Sequence, residues 1–273
     1  MNNRCCICVI NHKTTLADFE QLSLLRIVDF CIQTNKLDDL IFVLPKSNAE
    51  SFKDFCETYI NKFTNDKFGY SYNFNFIYYD DICFSSLNAY NNMLMLSENF
   101  YGDYSASYDY MLVYQLDGYI FDNQLDYFLD KNYDYIGGYY LPLYTHQLMY
   151  NKFNNLGEER RLIMNSGVSL KKLSFCINSI REDYYNLLKG CEFNNVFKYL
   201  QDDDFFSMFY ETEVIAIDSM KFSLNWSGAE NYWAIINFEY PFCCHGIQHG
   251  QFLMKLIEKY NRENNLEYSN YIV

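Results

Sequence analysis

Tyr110-Met111-Leu112-Val113-Tyr114-Gln115-Leu116-Asp117-Gly118 is an apolar run that ends in a polar turn. An unbroken apolar segment closed by a glycine predicts a strand covered on both faces, with Gln115 and Asp117 at its carboxyl end. Upstream, Cys5-Cys6-Ile7-Cys8-Val9-Ile10 has the same character and gives way to Asn11-His12-Lys13. Asp39-Leu40-Ile41-Phe42-Val43-Leu44-Pro45 reads as a second buried strand stopped by proline, and Phe74 to Tyr79 as a third. Segments of helical spacing fall between them. Thr15 with Asp18 resembles a capping box, and Leu16, Phe19, Leu22, Leu25, Val28 and Ile32 then recur along one face. Ala49 to Phe63 and Leu87 to Phe100 read as further helices.

Strands and helices alternating at roughly 30 to 40 residues predict right-handed crossovers: an α/β, Rossmann-type fold whose central, mainly parallel sheet is flanked by helices. Ligands of such sheets bind beyond the carboxyl ends of the strands. Asn11 to Lys13, Asp80-Asp81 and Asp117 are all placed there. After residue 139 the pattern is irregular. Leu141 to Gly157 reads as a loop or lid, Asn165 to Leu170 as a turn into a short strand, and Tyr184 to Leu200 as helical in parts. A last amphipathic helix is predicted from about Gly250 to Asn264, with Phe252, Leu256 and Tyr260 one turn apart.

With 273 residues, half of them hydrophobic, the chain can bury a full core. Only 3 prolines and 11 glycines are present and no linker-like stretch, so one domain over residues 1–273 is expected. The 28 tyrosines and 24 phenylalanines accompany many Asn, Ile and Lys, a mixture that a nucleotide-composition bias produces, so individual tyrosines carry no functional signal. The net charge of −14 repels phosphate backbones and anionic lipid surfaces, which excludes nucleic acid as a partner. A nucleotide diphosphate would be repelled too, unless a divalent cation or local donors offset the field.

The amino-terminal apolar run to Ile10 is too brief for a signal peptide, and no apolar run reaches the roughly 18 residues of a membrane span. A cytoplasmic protein with reduced cysteines is expected. Cys5 and Cys8 form a C-x-x-C, but on a strand an i, i+3 pair faces opposite ways, so they read as buried small hydrophobes.

Several segments then match, in order, a glycosyltransferase-like family of bacterial capsule and lipopolysaccharide gene clusters, long catalogued only as a domain of unknown function. They are Tyr90-Asn91-Asn92-Met93-Leu94, Tyr110 to Phe121, Tyr133-Asp134-Tyr135-Ile136-Gly137-Gly138, Asn165 to Leu170, Gln201-Asp202-Asp203-Asp204-Phe205-Phe206-Ser207 and Pro241-Phe242-Cys243-Cys244-His245-Gly246. Their order resembles the GT-A architecture, where a strand-end Asp motif, a Gly-containing segment, an acidic pair and a late His line one cleft.

The resemblance implies sugar transfer of hexosyl- or heptosyltransferase type, from a UDP- or GDP-sugar to an oligosaccharide or polysaccharide acceptor of capsule or lipopolysaccharide. Such chemistry needs charge offset on the departing diphosphate and a base near the acceptor hydroxyl. The family's Asp-x-Asp stands here as Gln115-Leu116-Asp117, leaving one carboxylate for a metal. His245 is the second ligand implied, and Mn²⁺ is the expected ion, with Mg²⁺ as the other choice. Read without the resemblance, His245 is a turn histidine beside Gly246.

Asp202-Asp203-Asp204, read alone, is a solvated helix start. Aligned on Phe205-Phe206-Ser207 the family's acidic pair falls on Asp202 and Asp203, with Asp203 as general base and Asp202 next. Gly137-Gly138 and Asn165-Ser166-Gly167 are places where a backbone can approach a sugar or phosphate. Gln115 and Asp117 belong to the same donor site, and Asn11 and Lys13 are weaker candidates for the nucleotide. Lys171 and Lys172 read as solvent-facing. Two other functions compete: a sugar nucleotidyltransferase, against which the glycine-free Asn11-His12-Lys13-Thr14-Thr15 counts, and a carbohydrate-binding or assembly protein without catalysis, suggested by Gln115.

Overall fold

The computed structural model describes residues 3–139, 164–184, 201–209, 212 and 214–272. The apolar runs pair as the sequence predicts. Cys5–Ile10 (β1), Leu40–Pro45 (β2), Asn75–Tyr79 (β3) and Tyr110–Gln115 (β4) lie parallel, in the order β3-β2-β1-β4. All six residues of β1 and of β2 are buried, as strands covered on both faces require.

Two strands complete the six-stranded sheet beyond β4, the inner one antiparallel to all the others. Gly118–Ile120 (β5) leaves the sheet; Tyr135–Tyr139 (β6) forms the far edge, and Met164–Lys172 (β7) lies between β4 and β6. The sheet is therefore mixed and mainly parallel. A second sheet joins β5, Cys243–His245 (β9) and Ser223–Asn225 (β8), with β9 in the middle.

Three local expectations are corrected. The first helix, Asp18–Gln33, starts after Ala17, and it is Glu20 that reaches back to the Ala17 N–H at 2.9 Å; Thr15 and Asp18 form no box. The helix expected over Leu87 to Phe100 breaks at Leu96-Ser97: Leu87–Ala89 runs into a π-turn, Tyr90–Met95, and a separate helix spans Glu98–Ser105. Asn165 to Leu170, expected as a turn into a short strand, lies wholly within β7, whose pairing to β6 shifts register between Asn165 and Ser169. The expected loop or lid at 141–157 and most of the segment 184–200 lie outside the described residues. The closing helix is Gln251–Glu263, with Leu253, Leu256, Ile257 and Tyr260 buried.

The first helix is fastened to the end of β5 by Arg26, whose buried guanidinium donates to the carbonyls of Ile120 and Phe121 at 2.7 and 2.6 Å. Asp29 beside it accepts from Lys67 at 2.8 Å and from the Tyr268 hydroxyl at 2.5 Å. The nine described cysteines are all buried and free, and burial pushes the Cys5 and Cys6 thiols up. No helix among the described residues is long and apolar enough to cross a membrane.

Candidate active site

The link from β4 to β5 is two residues long, Leu116 and Asp117, so Asp117 stands where the chain passes from one sheet to the other. Its carbonyl accepts from the N–H groups of Gly246 and Ile247, each at 3.0 Å, which pins the end of β9 against this turn. Gly246 makes that turn with φ of +82°, and a Cβ there would lie 2.2 Å from the Trp226 ring. In β9, His245 pairs with Gly118, and its side chain comes back over the strand end.

Three side chains converge there. His245 Nε2 lies 3.0 Å from Asp117 Oδ1 and 3.4 Å from Gln115 Oε1. The first contact has ion-pair distance without hydrogen-bond alignment, which leaves the buried Asp117 Oδ1 without an aligned donor. Gln248 donates to the other carboxylate oxygen at 2.8 Å. Burial opposes ionisation of Asp117, but His245 and then Gln248 outweigh it and hold the carboxyl at about 2. Gln115 is oriented by Tyr90, whose hydroxyl accepts from Nε2 at 3.3 Å and so leaves Oε1 toward His245. The His245 ring lies against Gly167, where a Cβ would come within 2.0 Å of Nε2.

Beside this group opens a cleft of about 540 Å³ at the carboxyl ends of β1 and β4, lined by Asn11, His12, Lys13, Ser86, Tyr90, Gln115 and Asp117 among others. Asn11 shapes its loop, accepting from the Lys13 N–H at 3.0 Å and donating to the Lys13 carbonyl at 2.9 Å. The Lys13 ammonium pairs with Glu20 at 2.6 Å. Burial and the neighbouring Lys13 lower the His12 pKa, so its ring is uncharged at neutral pH. Asp80 and Asp81 point elsewhere: Asp80 pairs with Lys46, and Asp81 accepts from the Ser47 N–H.

On β7, Asn165 Oδ1 accepts from the Gly167 N–H at 3.0 Å, and Ser166 donates to Asp202 Oδ1 at 3.0 Å. Gly137 backs Asn165, where a Cβ would lie 2.1 Å from its carbonyl oxygen; Gly138 faces Ser223 across to β8. Asp202 and Asp203 begin the helix Asp202–Phe209, anchored by the buried Phe205 and Phe206. The two carboxylates differ. Asp202 is buried and also takes the Lys171 ammonium at 2.7 Å, while Asp203 is half-buried and caps the Asp204 N–H at 2.9 Å. Lys171, read from sequence as solvent-facing, has no exposed surface.

Gln115, Asp117, His245 and Gly167 thus form one group, and Asn11 and Lys13 share the adjoining cleft. Sequence reading missed Tyr90, Gln248 and Lys171. Tyr90 lies in a segment singled out for another reason, and Gln248 follows His245 by three residues, but neither carries a local signal of its role.

The central, mainly parallel six-stranded sheet flanked by helices is an α/β fold of GT-A type. The chain belongs to the family described as "Protein of unknown function (DUF5672)", which it matches over residues 73–245. Among solved structures it is similar to an active-site mutant of LgtC, at 15% identity and a TM-score of 0.54, over 88% of this chain and 86% of that one. The galactosyltransferase LgtC in complex with donor and acceptor sugar analogues gives 16% identity and a TM-score of 0.49, over 88% and 86% of the two chains. The glycosyltransferase GlyE of Streptococcus pneumoniae TIGR4 gives 14% and 0.48, over 100% of this chain and 62% of that one. No curated protein sequence matches the chain.

Proposed function

We propose that the protein is a cytoplasmic glycosyltransferase that moves a sugar from a UDP- or GDP-sugar to a polysaccharide acceptor of capsule or lipopolysaccharide. The observation that supports this most is the convergence of Gln115 Oε1, Asp117 Oδ1 and His245 Nε2 at the rim of the cleft. An ionised carboxylate oxygen lacking an aligned donor, an imidazole nitrogen and an amide oxygen suit Mn²⁺, with Mg²⁺ as the second choice. Among the described residues no three His, Cys, Asp or Glu side chains cluster as a metal site, so two protein ligands and Gln115 would be completed by diphosphate oxygens and water. A bound cation would offset the charge of the departing diphosphate.

The chain's own residues have separate tasks in this reading. Asn11 and Lys13 hold the loop against the nucleotide, and Asn165 offers its amide to the donor sugar beside Gly137, Gly138, Ser166 and Gly167. Asp203 takes the proton of the acceptor hydroxyl. Incubation with a panel of UDP- and GDP-sugars and Mn²⁺ is expected to release nucleotide diphosphate slowly without acceptor. Binding with no release from any donor would replace this reading by that of a carbohydrate-binding protein.

His245→Ala is expected to raise the Mn²⁺ concentration for half-maximal rate about tenfold or more, since second-shell changes alone cost 10-fold to 100-fold. Gly167→Ala should act in the same direction, because its Cβ displaces the ring instead of removing it. Metal titration of the three proteins decides: superimposable curves would make His245 a structural residue of the turn.

A further inference from the structure

Lys171 lies near the end of β7 with no exposed surface. Its ammonium is 2.7 Å from Asp202 Oδ2 and 3.4 Å from the Tyr101 hydroxyl, and it stands 4.6 Å from the centre of the Phe206 ring and 5.7 Å from that of Tyr135. The other Asp202 oxygen accepts from Ser166 at 3.0 Å. A turn later in the same helix, Ser207 accepts from the Met164 N–H at 3.0 Å. The acidic helix start is therefore laced to β7 at Met164, Ser166 and Lys171.

Taking two charges out of water costs about as much as their pairing returns, and well-packed apolar residues often do as well or better. Stability alone gives little reason for a lysine here. A buried ion pair with further directional bonds does fix geometry. The geometry fixed here has two parts. One is the first helical turn, which carries Asp203; the other is the Asn165–Gly167 segment, whose Gly167 lies against the His245 ring.

We infer that Lys171 is a positioning residue: by holding Asp202 between its ammonium and the Ser166 hydroxyl, it aligns the acidic first turn with the strand segment against His245. Its effect on turnover rests on the function proposed above, while the alignment itself does not. In this reading Lys171 acts through Asp202.

Substituting Lys171→Met together with Asp202→Asn removes both charges at once, keeps the volumes close, and leaves an amide oxygen to accept from Ser166. The double variant is expected to melt within a few degrees of the wild type. Its backbone amide resonances at Ser166, Gly167 and Asp203 should shift, and kcat for donor turnover should fall about 10²-fold with KM changed less than about threefold, the scale of a misplacement near 1 Å. A folded double variant with wild-type kcat would overturn the inference, whatever its spectrum. If the double variant does not fold, Lys171→Arg keeps the charge but moves its centre: a fall in kcat with an unchanged melting temperature upholds the inference, and wild-type kcat overturns it. Should the wild-type protein turn over no donor, the proposed function fails by itself. The amide resonances then decide on Lys171 alone: shifts at those three residues uphold the alignment, and their absence overturns it.

Discussion

Asp117→Ala is expected to abolish sugar transfer, lowering the rate about 10³-fold or more, while the fold survives. The rate estimate follows from removing the one carboxylate of the convergent group, when loss of a single preorganised charge-stabilising contact already costs about 10² to 10³. Survival of the fold follows from the division of labour within this residue. Its carbonyl pins Gly246 and Ile247, and alanine retains it. Among the described residues its carboxylate is held by His245 and the exposed Gln248, and Gln248 can turn to water when the carboxylate is gone.

Acid gives an independent check. The Asp117 carboxyl is held at about 2, against an ordinary value of 3.8. Its contribution to stability is thus present above the ordinary value and is lost as the pH falls through about 2. Between pH 5 and 8 it stays ionised, so a fall in rate there belongs to another group. Activity of Asp117→Ala within twofold of wild type, with unchanged metal dependence, would remove this residue from the site.

Asp203→Asn should lower kcat by about 10² to 10⁴ and leave donor affinity almost unchanged, as expected when a general base is lost. The neighbouring residue supplies the contrast. Asp202 has both oxygens engaged, by Lys171 and Ser166, so Asp202→Asn strands a buried ammonium and is expected to cost about 3 to 5 kcal/mol of stability before any question of catalysis arises. Asp203 is half-buried and accepts from the Asp204 N–H, and calorimetric donor binding to Asp203→Asn should resemble that of the wild type. A full-speed Asp203→Asn protein beside a well-folded, inactive Asp202→Asn protein would move the role by one residue. Two active variants would end the acidic-pair mechanism.

The parts legible in the sequence share a physical cause. Strands β1, β2 and β4 are covered on both faces, so their burial is written as unbroken apolar runs, and the end of such a run marks Asp117 without further information. The closing helix is legible through its apolar stripe. The start of strand β7 was hidden because Asn165, Ser166 and Gly167 have turn composition, and the strand is held on either side of them, by β6 at Met164 and Asn165 and by β4 from Val168 onward. Strands β5, β8 and β9 have three residues each, too few for any periodicity to show. Lys171 beside Lys172 suggested solvent, since the carboxylate that permits its burial lies 31 residues away in sequence. His245 was reachable only through the family resemblance, because the contacts that place it come from Gln115 and Asp117, Gln115 lying 130 residues away in sequence.

The short passage from β4 to β5 gives the convergent group an unusual parentage. Gln115 belongs to the large sheet, His245 to the small one, and Asp117 to the two-residue link between them. Their relative placement thus depends on how the two sheets sit against each other. An ion bridging them would act as a rivet through two plates: whatever loosens the plates loosens the rivet, and filling the hole stiffens the joint. If the proposed cation binds there, its affinity and the cohesion of the two sheets would be one equilibrium seen from two sides. Damage at Arg26, which holds β5 to the first helix, would then reach the chemistry by loosening the small sheet, with every residue of the cleft unchanged.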